Sequence, residues 1–194
     1  MDCFKKIYCG KTVLITGHTG FKGSWLTTWL SMLGAKVIGI SIDIPTTPSH
    51  FSLLSSNELE KDYRVDITDF RKIKEILKNH KPDFIFHLAA QSIVSKSYLD
   101  PINTVSTNVL GTTTLLESLR DWNNKISVVM ITSDKCYENL EWVWGYKESD
   151  QLGGKDPYSA SKASAEIIIS SFCRSIFNEN ENIRVCSSRA GNVI

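Results

Sequence analysis

The chain has 194 residues, 42% of them hydrophobic and 22% charged, the size and composition of one large folded domain, so disordered, collagen-like and low-complexity readings are excluded. Its 22 basic and 21 acidic side chains leave a net charge of +1, which offers no broad positive field to nucleic acid or an anionic membrane; any phosphate must be held locally. The five cysteines, Cys3, Cys9, Cys136, Cys173 and Cys186, lack zinc or redox-pair spacing, and no apolar run suits a signal peptide or membrane span, so a reducing, cytoplasmic setting is expected.

Thr12-Val13-Leu14-Ile15-Thr16 is a short β-rich run. A glycine cluster follows, and then a helical pattern with Trp25, Leu26, Trp29, Leu30 and Leu33 on one face, stopped by Gly34. Lys36 to Ile42 supplies the next strand. Further strands are expected at Tyr63–Val65, Phe84–His87, Ser127–Thr132 and Arg184–Ser188, and helices at Asp69–Asn79, Pro101–Trp122 and Ser159–Phe177. Continuous apolar strands alternating with helices predict one doubly wound α/β domain over residues 1–194, with a mostly parallel sheet of the Rossmann type and helices on both faces. Pro45–Asn57 and Tyr137–Pro157 are long loops; the second carries Trp142, Trp144 and Tyr146.

Between the first strand and helix lies Gly17-His18-Thr19-Gly20-Phe21-Lys22-Gly23, with glycines spaced GxxGxxG. That context is the one in which backbone N–H groups and a helix N-terminus receive a pyrophosphate. Twenty residues beyond Gly23, Asp43 ends the second strand, where a carboxylate accepts from ribose hydroxyls and repels a 2′-phosphate. No arginine follows it in Ile44-Pro45-Thr46-Thr47, which favours NAD over NADP. Asp66 and Ile67, after the third strand, suit adenine contact, although Asp66 equally suits capping of the following helix.

Tyr158 and Lys162 stand four apart at the start of a helix, so both can act on one ligand, the ammonium stabilising a phenolate that takes a proton from a hydroxyl. At the end of the fifth strand, Ser133 and Asp134 either meet a substrate or cap the turn. His18, His50, His80 and His87 share no metal-ligand spacing, and no metal site is expected.

With the glycine turn, Asp43, Leu88-Ala89-Ala90, Thr107-Asn108-Val109 and the Tyr158/Lys162 pair together, the chain resembles the extended short-chain dehydrogenase/reductase family from about residue 8 onward. Thr132-Ser133-Asp134-Lys135-Cys136-Tyr137-Glu138-Asn139, Glu141 to Tyr146 and Leu152 to Ser159 resemble its sugar-nucleotide 4,6-dehydratases, above all the CDP-glucose group. The resemblance implies NAD held by Gly17, Thr19, Gly20, Phe21, Lys22, Gly23, Asp43, Asp66, Ile67, Leu88, Ala89, Ala90, Thr107, Tyr158 and Lys162, and substrate met by Gln91, Ser133 and Asn192.

In the implied reaction Tyr158 takes the C4 hydroxyl proton, assisted by Ser133, Asp134 protonates the departing C6 hydroxyl, and Lys162 binds the nicotinamide ribose. Lys135 stands where many relatives carry a glutamate as the C5 base, and acts either as that base or as an enolate stabiliser. Relatives often have an arginine in the stretch occupied here by Val94-Ser95-Lys96-Ser97. They also continue past Ile194 into a substrate domain, so this chain is expected to be the cofactor half of such an enzyme. The other readings are a related NAD-dependent dehydratase or epimerase, or a non-catalytic remnant. Homodimerisation through the helices at Pro101–Trp122 and Ser159–Phe177 is also implied.

Overall fold

The computed structural model describes residues 6–55 and 57–193; Cys3, with the rest of residues 1–5, and Ile194 lie outside the described residues. Six strands, β1 (Thr12–Thr16), β2 (Lys36–Ser41), β3 (Lys61–Arg64), β4 (Phe84–His87), β5 (Ile126–Ser133) and β6 (Ile183–Ala190), form one sheet in the order β3-β2-β1-β4-β5-β6. Every neighbouring pair is parallel. The order reverses between β1 and β4, the switch point at which open α/β sheets receive ligands beyond the carboxyl ends of their strands.

The central strands are apolar at consecutive positions because both faces are covered. Val13 and Ile15 of β1 pack with Val37 and with Leu30 of helix α1 (Phe21–Met32), whereas Leu14 between them faces the opposite layer. That second layer joins Ile38, Ile85, Val128 and Met130 to Ile73 and Leu77 of α2 (Phe70–His80), Leu115 and Leu116 of α5 (Gly111–Glu117), and Ile169 and Phe172 of α6 (Pro157–Arg174). This is the expected doubly wound α/β architecture.

Several boundaries differ from expectation for local reasons. A helix over Val94–Leu99 (α3) precedes Pro101, and the Asp100 carboxylate caps the start of α4 (Pro101–Val105) by accepting from Asn103 N. The expected helix Pro101–Trp122 is α4 and α5 joined by one π-turn, Ser106–Leu110, and it ends at Glu117. Helix α6 starts at Pro157, capped by Asp156, whose Oδ1 accepts from Ser159 N at 3.0 Å, and stops at Arg174 rather than Phe177.

Candidate functional site

The glycine turn begins with Gly17 at φ +74°, and a Cβ there would stand 2.7 Å from Ala89 N and 2.8 Å from Leu88 C, so only glycine fits against β4's end. A Cβ on Gly23 would overlap Gly17 O and stand 2.7 Å from His18 Cα, because the first turn of α1 presses on the loop that feeds it. Gly20 differs: its nearest neighbour would be Gly17 O at 3.4 Å, so its outer side is open. Gly20 also caps α1 with no side-chain oxygen, and no acidic residue sits in the first turn, which leaves the helix N-terminus available to an anion. These features fit a dinucleotide: two glycines close the turn, and the third leaves the approach clear.

The turn is stitched to the neighbouring strands. Thr19 Oγ1 donates to Asp43 O at 2.6 Å, and Thr19 N donates to Ser41 Oγ at 3.3 Å. The fully buried His18 ring reaches Ser41 Oγ and Asp62 Oδ1, each at 3.0 Å. Arg64 donates to Asp62 Oδ2 at 2.7 Å and to Asp43 O at 3.3 Å, so the β2–β3 pairing brings an arginine to Asp43 that the residues following Asp43 lack. Asp43 itself is exposed, just past the end of β2. Phe21 is exposed and Lys22 half-buried at the start of α1.

Asp66 accepts from Thr68 N and Thr68 Oγ1, both at 2.8 Å, and closes the turn ahead of α2; the cap of that helix is Asp69, which accepts from Lys72 N. Ile67 is buried in the core, where a Cβ on Gly111 would stand 2.6 Å from its Cγ2.

After β4, Leu88, Ala89 and Ala90 are half-buried beside the turn, and Ala89 N donates to Thr16 Oγ1 at 3.2 Å. The Gln91 amide is engaged within the fold: Nε2 donates to Thr104 Oγ1 and Ile93 O, and Oε1 accepts from Ile93 N. Sequence reasoning quoted Asn108 only within a motif. The structure buries it in the π-turn, with Nδ2 donating to Gln91 O at 3.0 Å and Ser161 Oγ at 2.9 Å, and Oδ1 accepting from Gln91 N at 2.8 Å. Thr107 beside it is half-buried. His87 is held between Thr16 Oγ1 at 2.8 Å and Thr112 Oγ1 at 3.2 Å, and burial, with the nearby Lys162 charge, pushes its pKa down to about 3.

At the end of β5, Ser133 Oγ donates to Asp134 Oδ1 at 3.0 Å and accepts from Lys135 N at 3.2 Å, so the serine does cap the short turn Asp134–Cys136. Lys135 Nζ lies 3.5 Å from Asp134 Oδ1, with both side chains about half-exposed. Past β6, a Cβ on Gly191 would stand 3.8 Å from Asp134 Oδ2, and Asn192 is exposed. Tyr158 and Lys162 are buried on one face of α6. Burial pushes Lys162 down to about 8, and the like charge of Lys22 at the start of α1 acts in the same direction. A cleft of about 990 Å³ runs beside these residues from Asp134 and Lys135 along Tyr137 and Tyr146 to Lys155 and Arg189. None of the residues of the glycine turn lines it.

The family profile for GDP-mannose 4,6 dehydratase matches residues 14–193. A CDP-glucose 4,6-dehydratase of Salmonella typhimurium is 50% identical over 98% of this chain and 54% of its own length. A UDP-glucose 4-epimerase of Thermus thermophilus, solved as a complex with NAD, superposes with a TM-score of 0.77 at 26% identity over 92% of this chain and 54% of that one. A dTDP-glucose 4,6-dehydratase of Streptomyces venezuelae with NAD and TYD bound gives 0.75 at 26%, over 91% and 55%. The chain thus spans about half the length of the relatives it matches.

Proposed function

Since this chain belongs to the GDP-mannose 4,6-dehydratase family, we propose that it is the NAD-binding, reaction-bearing half of a sugar-nucleotide 4,6-dehydratase that converts CDP-glucose to CDP-4-keto-6-deoxyglucose. The observation that carries this reading is the packing of α6, which buries Tyr158 and Lys162, on the turn Asp134–Cys136 that follows Ser133 at the end of β5, in a chain whose glycine turn fits a dinucleotide. The 50% identity to a CDP-glucose 4,6-dehydratase supports the choice of substrate.

In this reading Gly17, Gly20 and Gly23 with the N-terminus of α1 hold the pyrophosphate, Asp43 the adenine ribose, and Lys162 the nicotinamide ribose. Bound NAD would supply a reversible acceptor, taking the C4 hydride and returning it at C6. Tyr158, held as the phenolate by the Lys162 ammonium, removes the C4 hydroxyl proton and becomes the neutral phenol. Ser133 hydrogen-bonds the same oxygen, for which its hydroxyl turns away from Asp134. Asp134, half-exposed at the cleft, protonates the leaving C6 hydroxyl. Lys135, on the same rim, takes the C5 proton in its neutral form and, once charged, stabilises the enolate so formed.

An epimerase on the same scaffold needs no acid at C6, so Asp134 favours the dehydratase. The α3, α4 and α6 surface exposes Leu99 (85%), Ile102 (82%) and Ile167 (57%), which fits a homodimer that buries these helices. Among the described residues no helix is long and apolar enough to cross a membrane. We place the reaction in the cytoplasm, supplying deoxysugars for cell-surface polysaccharide such as lipopolysaccharide.

The test is incubation of the chain with NAD and CDP-glucose, beside dTDP-glucose and GDP-mannose, with products weighed by mass spectrometry. Loss of one water from CDP-glucose alone is expected. NAD binding without water loss would leave a cofactor-binding fragment and refute independent activity. Sedimentation at twice the chain mass is expected for the dimer.

A further inference from the structure

Glu166 is a buried carboxylate to which the reaction above gives no role. It is 5% exposed and follows Tyr158 and Lys162 along α6 at four-residue intervals, on the same face. Its Oε1 accepts from the hydroxyl of Thr132, the residue of β5 immediately before Ser133. Its Oε2 accepts from Ser187 Oγ and Arg189 Nη2 on β6, each at 3.0 Å. Arg189 in turn donates to Tyr137 Oη at 2.9 Å and to Glu148 O at 3.1 Å, and its guanidinium lies 4.9 Å from the centre of the Tyr137 ring. Tyr137 begins a stack that continues through Tyr146, Trp142 and Trp144, with ring centres 5.1 Å, 5.2 Å and 5.2 Å apart.

One carboxylate therefore joins three elements that the chemistry must hold in register: the helix bearing Tyr158 and Lys162, the strand ending in Ser133 and Asp134, and, through Arg189, the aromatic wall of the cleft. Apolar packing would bind α6 to the sheet at least as strongly as a buried ion pair does. Three directed hydrogen bonds add what packing lacks, a fixed rotation and depth for the helix. We propose that Glu166, held by Thr132, Ser187 and Arg189, is a positioning residue that aligns Tyr158 and Lys162 with Ser133 and Asp134. This proposal rests on the reaction read in the preceding subsection.

The same carboxylate also favours the ammonium form of Lys162, against burial and Lys22. The other titratable neighbours of Lys162 are His87 on β4, which stays neutral, and Cys136, whose thiol burial pushes up to about 11. Tyr158 lies one helical turn away on the same face.

The experiment compares the full chain with Glu166→Gln and the milder Thr132→Val, each first checked for fold by circular dichroism and for NAD affinity. For CDP-glucose dehydration, Glu166→Gln is expected to lower kcat on the order of 10²-fold with KM little changed, and Thr132→Val to fall between. In parallel, the Lys162 ammonium is titrated by NMR of labelled lysine, assigned with Lys162→Met; Glu166→Gln should lower its midpoint by about half a unit or more. Unchanged kcat and an unchanged Lys162 midpoint in folded variants would overturn the proposal, whatever the loss of melting temperature. If Glu166→Gln does not fold, Thr132→Val decides by its kcat. If the wild-type chain releases no water, the reading of the reaction fails, and the Lys162 titration alone decides this one.

Discussion

His18 Nε2 stands 3.0 Å from Asp62 Oδ1, a bond between residues 44 apart that fastens the glycine turn to β3. Burial holds the ring below the ordinary histidine pKa although Asp62 pulls it upward, so near neutral pH it serves as an uncharged strut between Ser41 and Asp62. The ring lies over Gly39, where any Cβ would overlap it. His18→Ala removes both bonds and opens a cavity, which should cost about 2–3 kcal/mol in urea unfolding and weaken NAD binding. Undiminished NAD affinity would show that the turn keeps its shape without the strut.

Acid should destabilise the chain through His87. The unfolded residue titrates near 6.5 and the folded one near 3. Between those values the unfolded state binds a proton that the native state refuses, so stability falls as pH drops below 6.5. At pH 5 the loss is about 2 kcal/mol. Urea midpoints at pH 7.5 and 5.0 should show it in the wild type and shrink it in His87→Gln; equal losses in both would place the acid sensitivity elsewhere.

The three glycines of the turn should separate under substitution. Gly23→Ala drives a methyl into Gly17 O and should cost about 1–3 kcal/mol or more as well as NAD binding. Gly20→Ala meets only Gly17 O at 3.4 Å, so its melting temperature should stay close to the wild type while NAD affinity falls. Calorimetry of both variants checks the split, and retained NAD binding in Gly20→Ala would move the pyrophosphate away from this turn.

Cofactor choice should hinge on Asp43 and Arg64. With Arg64 Nη1 already 3.3 Å from Asp43 O, replacing the carboxylate by an amide leaves a cation beside the ribose site. Asp43→Asn is therefore expected to weaken NAD binding and to narrow the preference over NADP by about tenfold or more. Direct titration with both dinucleotides measures it, and an unaltered ratio would remove Asp43 from the ribose.

Much of the fold was legible because its strands are buried on both faces: Val13, Leu14 and Ile15 form an unbroken apolar run that only a covered parallel strand explains. The edge strand β3 is legible only from Tyr63, because it reads Lys-Asp-Tyr-Arg and has little to bury. Helix α3 leaves no apolar periodicity in the sequence, because its six residues bury only Ser97. Asp66 suits a cap by its position, yet it closes the turn on Thr68, and the bond from Lys72 N makes Asp69 the cap of α2.

At the site, the glycine turn and the Tyr158/Lys162 pair are local patterns and announce themselves. Glu166 does not, because its partners Thr132 and Arg189 lie 34 and 23 residues away, and only the folded sheet brings them together. Arg64 is silent in the sequence for the same reason, standing 21 residues beyond Asp43 but next to it across the β2–β3 ladder.

The π-turn at Ser106–Leu110 amounts to one additional residue wound into an otherwise continuous helix. Each helical residue turns the chain by about 100°, so deleting that residue would swing everything on one side of it through that angle. Asn108 would then lose Gln91 and Ser161, or Leu115, Leu116 and Leu119 would leave the core. A regular helix of this length can serve the Asn108 bonds or the core but not both, and the inserted residue lets one continuous segment satisfy two phases.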